Sequence, residues 1–299
     1  MCYFKKLIIT TLFLTLSAFA HNHGFDNVKI KTIEVKDGIY MLMGRGGNIG
    51  LSVGDDGVFM IDDQFAPLSQ KIKTAITKIT DKRVKFLINT HWHFDHVGGN
   101  ENFSKDGVVI VSHNNVRDRM SKDGFIKAFN RKTKAASKAA LPIVTFSDTI
   151  SFHLNGEQIE VLHMPNSHTD GDSVIFFKSS NVIHTGDIFF NGFYPFIDKS
   201  SKGSIDGVIK SVEYILSKAD DETQIIPGHG KLANKDDLKV YRDTLIILKE
   251  RMKKLIDDGK TLEEIIAMKP NADIDKKWGG GFLNPENFLR ILYDVVKND

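Results

Sequence analysis

Val84-Lys85-Phe86-Leu87-Ile88-Asn89-Thr90-His91-Trp92-His93-Phe94-Asp95-His96 is the stretch on which the reading of this chain turns. Residues 84–89 form an apolar run of strand length, read as a buried strand. Residues two apart on a strand share a face, so His91 and His93 reach one point together as the strand ends. The loop that follows swings Asp95 and His96 to a second point close by. Neutral imidazole and carboxylate are ligands that suit zinc and its neighbours, provided several converge. A polar loop with surplus histidines is the plain alternative. Three imidazoles and a carboxylate within six residues argue for a metal site instead.

Three other segments each place one good ligand just past an apolar run, where loops collect at one end of a sheet. They are Asn166-Ser167-His168-Thr169-Asp170, Thr185-Gly186-Asp187 and Pro227-Gly228-His229-Gly230. Any one of them alone reads as a structural turn. Taken together and in this order, HxHxDH, His168, TGD and PGHG resemble the metallo-β-lactamase superfamily, over about residues 28–231. The resemblance implies a mixed α+β fold, an αββα sandwich of two mixed β-sheets with outer helices and the metals at one sheet edge. It implies that His91, His93 and His168 hold one ion, that Asp95, His96 and His229 hold a second, and that Asp187 bridges them. Two Zn2+ per chain are expected; iron or manganese would suit the same His/Asp set. Two divalent ions lower the pKa of water from ~15.7 towards ~7, which supplies a nucleophile without serine or cysteine. Asp95 is then placed to orient that nucleophile and pass its proton to the leaving group. Asp62, after the run 58–61, matches the family's early aspartate that hydrogen-bonds a ligand histidine and fixes its tautomer. A plain turn residue in Asp62-Asp63 is the alternative.

The rest of the chain is consistent with that fold. Turn signals at Asp37-Gly38, residues 54–57, Asn155-Gly156 and residues 179–181 join apolar runs as hairpins. Leu68, Ile72, Ala75, Ile76 and Ile79 repeat at helical spacing, as do Ile205, Val208, Ile209, Val212, Ile215 and Leu216. From about residue 232 the chain becomes helical. Leu238, Tyr241, Leu245, Leu248, Met252 and Leu255 form one long stripe, and Phe288, Leu289, Leu292, Val295 and Val296 a last amphipathic helix. That stripe suits packing on the sandwich, or a helix pair between two copies. Monomer and dimer both stay open.

Two departures bear on substrate. In the lactamase subclass with a cysteine in the second site, that cysteine stands where Asp187 stands here, and a drug-gripping lysine follows three residues later. Here the third residue on is Phe190. A bridging aspartate is instead the pattern of the glyoxalase II, lactonase and phosphodiesterase members. The segment 189–196 reads as an aromatic wall beside the metals, in which Tyr194 either donates to an oxyanion or packs in the core. The basic stretch 127–138, with Lys127, Arg131, Lys132, Lys134 and Lys138, reads as a solvated helix face. Its functional counterpart is a lid that recruits an anionic substrate. His113, His153, His163 and His184 read as ordinary strand or turn residues.

Residues 1–20 read as a secretory signal peptide: Lys5 and Lys6, an apolar core at 7–16 too short to span, and Ala18-Phe19-Ala20 for cleavage. Residues 21–299 then form a single domain, periplasmic or secreted, without a stable membrane anchor. The only cysteine, Cys2, is discarded, so no disulfide and no thiolate ligand remain. Loss of Lys5 and Lys6, the only charges in the segment, takes the formal charge from +2 to zero. A balanced surface argues against nucleic acid as partner and leaves a small-molecule substrate. Cleavage after Ala20 exposes His21-Asn22-His23, either a polar tail or a square-planar nitrogen site for copper. The expected activity is a dinuclear zinc hydrolase opening a cyclic amide, ester or related bond, with β-lactam turnover, weak or full, as the most specific candidate. Ester, lactone, thioester or phosphodiester hydrolysis is the second reading. A non-catalytic periplasmic zinc-binding protein and an iron oxidoreductase are the third and fourth.

Overall fold

The computed structural model describes residues 24–297. The signal peptide and the His21-Asn22-His23 copper site therefore lie outside the described residues. Two sheets carry the fold. The first has seven strands in the order Lys31–Lys36, Ile39–Met43, Ile49–Gly54, Gly57–Ile61, Val84–Asn89, Val109–His113 and Val144–Phe146. Its first four strands are antiparallel hairpins and its last four are parallel. The second sheet runs Thr149–Leu154, Glu157–His163, Ser173–Phe177, Val182–His184 and Gln224–Ile226, with only the last pair parallel.

The four layers follow from strand periodicity. Successive side chains point to opposite faces, so a strand buried on both sides reads as a continuous apolar run. In Gly57–Ile61, Phe59 and Ile61 enter the core between the sheets, while Val58 and Met60 turn outward onto Leu68, Ile72 and Ile76 of the helical segment behind. In Ser173–Phe177, Ile175 and Phe177 face the same inter-sheet core. Val174 and Phe176 turn outward onto the outer helices. The mixed αββα architecture expected from the sequence is the one observed.

Helices Ile205–Lys218 and Lys235–Asp257 cover the outer face of the second sheet. Each is capped by a side chain before it: Ser204 accepts from Gly207 N, and Asn234 forms a capping box with Asp237. The stripe Leu238, Tyr241, Leu245, Leu248 and Met252 is buried within the chain, against its own helices. Among the described residues no helix is long and apolar enough to cross a membrane.

The basic stretch 127–138 differs from its reading as a helix face. It holds a 3-10 turn, Lys127–Phe129, and the strand Arg131–Thr133, which pairs with Gly124–Ile126 as a hairpin. Asn130 sits between them at φ +47°, a left-handed turn position that asparagine tolerates. With no apolar repeat to seat a helix face, turn chemistry decides the segment.

Candidate metal centre

Every ligand-bearing loop leaves a strand at the same edge of the sandwich. The strand Val84–Asn89 runs into His91, His93, Asp95 and His96, and the loop after Glu157–His163 carries His168. The parallel neighbours Val182–His184 and Gln224–Ile226 end together, putting Asp187 beside Gly228 and His229. Ser173 N donates to Thr90 O at 2.9 Å, joining the two sheets at this edge.

Seven side chains converge there in two groups: His91, His93, His168 and Asp187, then Asp95, His96 and His229. In the first group His93 Nδ1 lies 3.1 Å from His91 Nε2 and 2.9 Å from His168 Nε2. Asp187 Oδ2 is 3.8 Å from His91 Nε2 and 3.6 Å from His168 Nε2. Its other oxygen, Oδ1, is 3.1 Å from His96 Nε2 and 3.4 Å from His229 Nε2. Asp95 Oδ2 completes the second group, 3.4 Å from His229 Nε2 and 3.7 Å from His96 Nε2. Asp187 therefore presents one oxygen to each group.

The tautomers show what these atoms await. His168 Nδ1 bonds Phe196 O at 2.6 Å, His93 Nε2 bonds Asp198 Oδ2 at 3.0 Å, and His96 Nδ1 bonds Asp62 Oδ2 at 2.7 Å. Carbonyl and carboxylate oxygens only accept, so those outer nitrogens carry the protons. Thr90 Oγ1 spends its hydrogen on Asp62 Oδ2 at 2.7 Å and so accepts from His91 Nδ1 at 3.1 Å. In the first group the inner nitrogens of His91, His93 and His168 are left as lone pairs pointing at one another. Asp187 Oδ1, buried, has His96 Nε2 and His229 Nε2 as its neighbours. Converging imidazole lone pairs beside buried carboxylates are the arrangement a cation satisfies, and nitrogen and carboxylate oxygen fit divalent zinc.

Charge tells the same story. Burial raises the Asp187 carboxyl, but His96 and His229 outweigh it and hold it well below the usual range. Burial disfavours a charge on His229, yet Asp187 and Asp95 lift it to about 9. His96 is likewise raised, by Asp187, Asp95 and Asp62 against burial. His91 and His168 go the other way, lowered chiefly by burial, His168 to about 4. The carboxylates demand positive charge, and a metal would displace the protons that now supply it.

Two glycines in these motifs have a steric reason. A Cβ on Gly228 would lie 2.2 Å from Asp187 Oδ1 and 2.6 Å from the backbone of Gly186. On Gly47 it would lie 2.1 Å from the His96 ring.

Asp62 is fully buried at φ +59°. It accepts from Thr90 N at 2.8 Å, Thr90 Oγ1 and His96 Nδ1, so it orients His96 directly and His91 through Thr90. Asp62→Ala would orphan three buried donors. It should cost about 2–4 kcal/mol of stability and roughly 10–100-fold in zinc affinity. Urea unfolding and zinc titration against a competing chelator test this, and an unchanged zinc affinity would refute the orienting role.

Tyr194 is not brought to the site. Its hydroxyl donates to Asp275 Oδ1 at 2.7 Å, and its ring stacks on Phe288 at 4.0 Å in the helical layer. Of the aromatic segment only Phe196 reaches the cleft, stacked on His93 at 5.5 Å. Phe190, fully buried, stacks on His229 at 5.1 Å and 12°. The four remaining histidines divide, and His153 is exposed on the strand Thr149–Leu154. His113 and His163 stack on each other at 3.7 Å. His184 positions the centre: Nε2 donates to Asn48 O at 3.0 Å and Nδ1 accepts from Gly186 N at 3.2 Å.

Sequence reasoning missed Asp198 and Asn48. Asp198 anchors His93 from 105 positions away and also accepts from Ser201 Oγ at 2.6 Å and from Ser200 Oγ. Asn48 grips the Pro227-Gly228-His229-Gly230 loop. Its N donates to Gly228 O at 2.7 Å and its Nδ2 to Pro227 O at 2.8 Å. The Gly46-Gly47-Asn48 turn was the available signal.

Comparison with known proteins gives the following. The model of the metallo-beta-lactamase superfamily matches residues 42–248. Hydroxyacylglutathione hydrolase GloC of Haemophilus influenzae is 29% identical over 151 residues, 50% of this chain and 70% of that protein. Metallo-beta-lactamase type 2 of Bacteroides fragilis is 21% identical over 214 residues, 69% of this chain and 80% of that protein. The solved metallo-beta-lactamase of Pontibacter korlensis superposes with a TM-score of 0.60 at 17% identity, covering 73% of this chain and 99% of that one.

Proposed function

The chain belongs to the metallo-beta-lactamase superfamily and is a metal-dependent hydrolase of that kind, and from that premise we propose that it is a dinuclear zinc hydrolase of acyl bonds, a lactone or carboxylic ester in the first place. His91, His93, His168 and Asp187 Oδ2 would hold one ion; Asp95, His96, His229 and Asp187 Oδ1 would hold the other. Zinc bound there supplies a Lewis acid and an acidified water.

The chain's own residues do the rest. Asp62, Thr90, Asp198 and the Phe196 carbonyl hold the imidazoles in the tautomers and orientations described above. Phe196 and Phe190 shield His93 and His229, keeping the local dielectric low so that charge interactions are strong. Asp95, partly open to the cleft, is ionised at neutral pH. Burial raises its carboxyl, but His96 and His229 bring it down to about 2. It is the more exposed of the two carboxylates lining the cleft, and is placed to receive a proton from the attacking water and pass it to the leaving oxygen.

The observation that carries the choice of bond is the pair Asp187 and Phe190. An aspartate oxygen facing each group matches the bridging-aspartate members rather than the cysteine-containing lactamases. Phe190, three residues after Asp187, packs flat on His229 and offers no charge to grip a drug carboxylate. β-Lactams then rank as the related cyclic amide, not as dedicated substrates. The similarity to a hydroxyacylglutathione hydrolase supports acyl-oxygen or acyl-sulfur chemistry. Export, proposed from residues 1–20, would keep the chain from cytosolic thioesters and favours the oxygen esters. A screen on zinc-quantified protein tests the reading. Turnover of a δ-lactone or aryl ester at a higher kcat/KM than nitrocefin is expected; turnover confined to bis-p-nitrophenyl phosphate would overturn it.

A further inference from the structure

The mouth of the metal centre carries a recognition surface that the hydrolytic reaction does not use. A cleft of roughly 400 Å³ opens over Asp95, Asp187 and His229. Its walls include Phe94, Phe129, Phe196 and Phe282, together with two cations, Arg45 and Arg131. Phe129 and Phe282 are 40% and 55% exposed, large apolar groups held open to solvent at the mouth. Their rings lie 6.4 Å apart, Phe129 against Phe196 at 4.7 Å and Phe282 beside His229 at 6.2 Å. They come from two separate places: the hairpin formed by Gly124–Ile126 and Arg131–Thr133, and the loop that follows Gly279-Gly280-Gly281. Exposed apolar groups converging on a reactive cleft mark a ligand surface.

The charge of the cleft has one sign. Its only acids are Asp95 and Asp187, both given to the metals. With those two carboxylates given to the metals, Arg45 and Arg131 are the charged side chains left in the cleft wall to meet a ligand. Arg131 makes no ion pair among the described residues; its guanidinium carbon lies 3.6 Å from the centroid of Phe94. Such stacking orients the planar fork while leaving its N–H edge to bond an anion. Phe94 in turn meets Phe65 at 5.8 Å, Phe65 meets Phe25 at 5.1 Å, and Arg45 lies 5.0 Å over Phe25. Both cations are thus seated on one aromatic ladder beside the metal ligands. Arg45 also donates to Gly24 O, which leaves Arg131 the freer of the two.

We propose that Arg131 is the anion-binding residue of the substrate site, and that the substrate is an organic anion whose apolar body lies between Phe129 and Phe282. The inference rests on the hydrolase reading for the position of the metals and adds the substrate class. Arg131 holds the anionic group away from the zinc ions, with Arg45 contributing field. The aromatic pair desolvates the body, and the scissile bond is left over Asp95.

The test is isothermal titration of zinc-loaded full-length protein with 4-phenylbutyrate and its neutral amide at low salt. The carboxylate should bind roughly 10-fold tighter, the worth of a charge-assisted hydrogen bond, and the gap should shrink with added salt. Arg131→Gln should close most of that gap while leaving the amide unchanged, and Phe282→Ala should weaken both probes. Equal binding of the two probes to the wild type would overturn the proposal. So would an Arg131→Gln variant that keeps the full preference, because the anion would then sit on the metals. The expected binding pattern without turnover of any ester or lactone would keep the anion site and remove the hydrolase reading. Turnover with no preference for the carboxylate would do the reverse.

Discussion

Asp187→Ala is expected to lower bound zinc from two ions per chain to one or fewer, and to reduce kcat/KM on the order of 10³-fold. The magnitude follows from the several kcal/mol that metal ions contribute to stabilising developing charge, at about 1.4 kcal/mol per decade of rate. Asp187 is singled out because its two oxygens face different groups, so one truncation disturbs both. Loss of any one histidine would disturb one. Elemental analysis after zinc loading and gel filtration reads the first quantity, and ester or lactone turnover the second. Two ions retained by the variant would show that the carboxylate is not shared. The same logic extends to Gly228→Ala, which leaves every ligand in place but drives a methyl group against Asp187 Oδ1. It should produce a weaker copy of the same defect.

The seven candidate ligands could be named from the sequence because the resemblance rests on short motifs, and the structure brings those side chains together. Asp95 and His96 follow His91 and His93 within one turn of chain, and His168, Asp187 and His229 each sit in a short loop just beyond an apolar strand. Strand periodicity and loop position are short-range signals that agreed with two packed sheets, while the αββα layers with the metals at one edge came from the resemblance. What supports the ligands was not legible. Asp198 reaches His93 across 105 positions, and Asn48 reaches Pro227 across 179. No local pattern announces a contact that forms only after the sheets have stacked. Tyr194 shows the opposite error. Nearness to the motif in sequence left an oxyanion role open beside core packing, and the residue turns into the helical layer because Trp278 and Phe288 offer its ring a packed face. The hairpin at 124–133 was misread for a third reason. Its two lysines and one arginine carry no periodicity, and its conformation is set by a turn at Asn130 and by pairing with its own neighbour.

Asp95→Asn separates chemistry from metal holding. The two side chains are nearly isosteric, so an oxygen can still face His96 and His229, and the six other ligands are unchanged. What the amide lacks is a negative charge and the basicity to take up a proton. At saturating zinc the variant should retain close to two ions, while kcat falls by roughly 10²–10⁴-fold, the usual worth of a positioned acid–base group. A substrate whose leaving group needs no proton should suffer less: a p-nitrophenyl ester would lose a smaller factor than an alkyl ester of the same acid. That contrast is the decisive readout, because a merely weakened metal site would slow both esters equally. Equal losses on the two esters would assign Asp95 to the metal alone, and a near-normal rate on both would remove it from the proton path entirely.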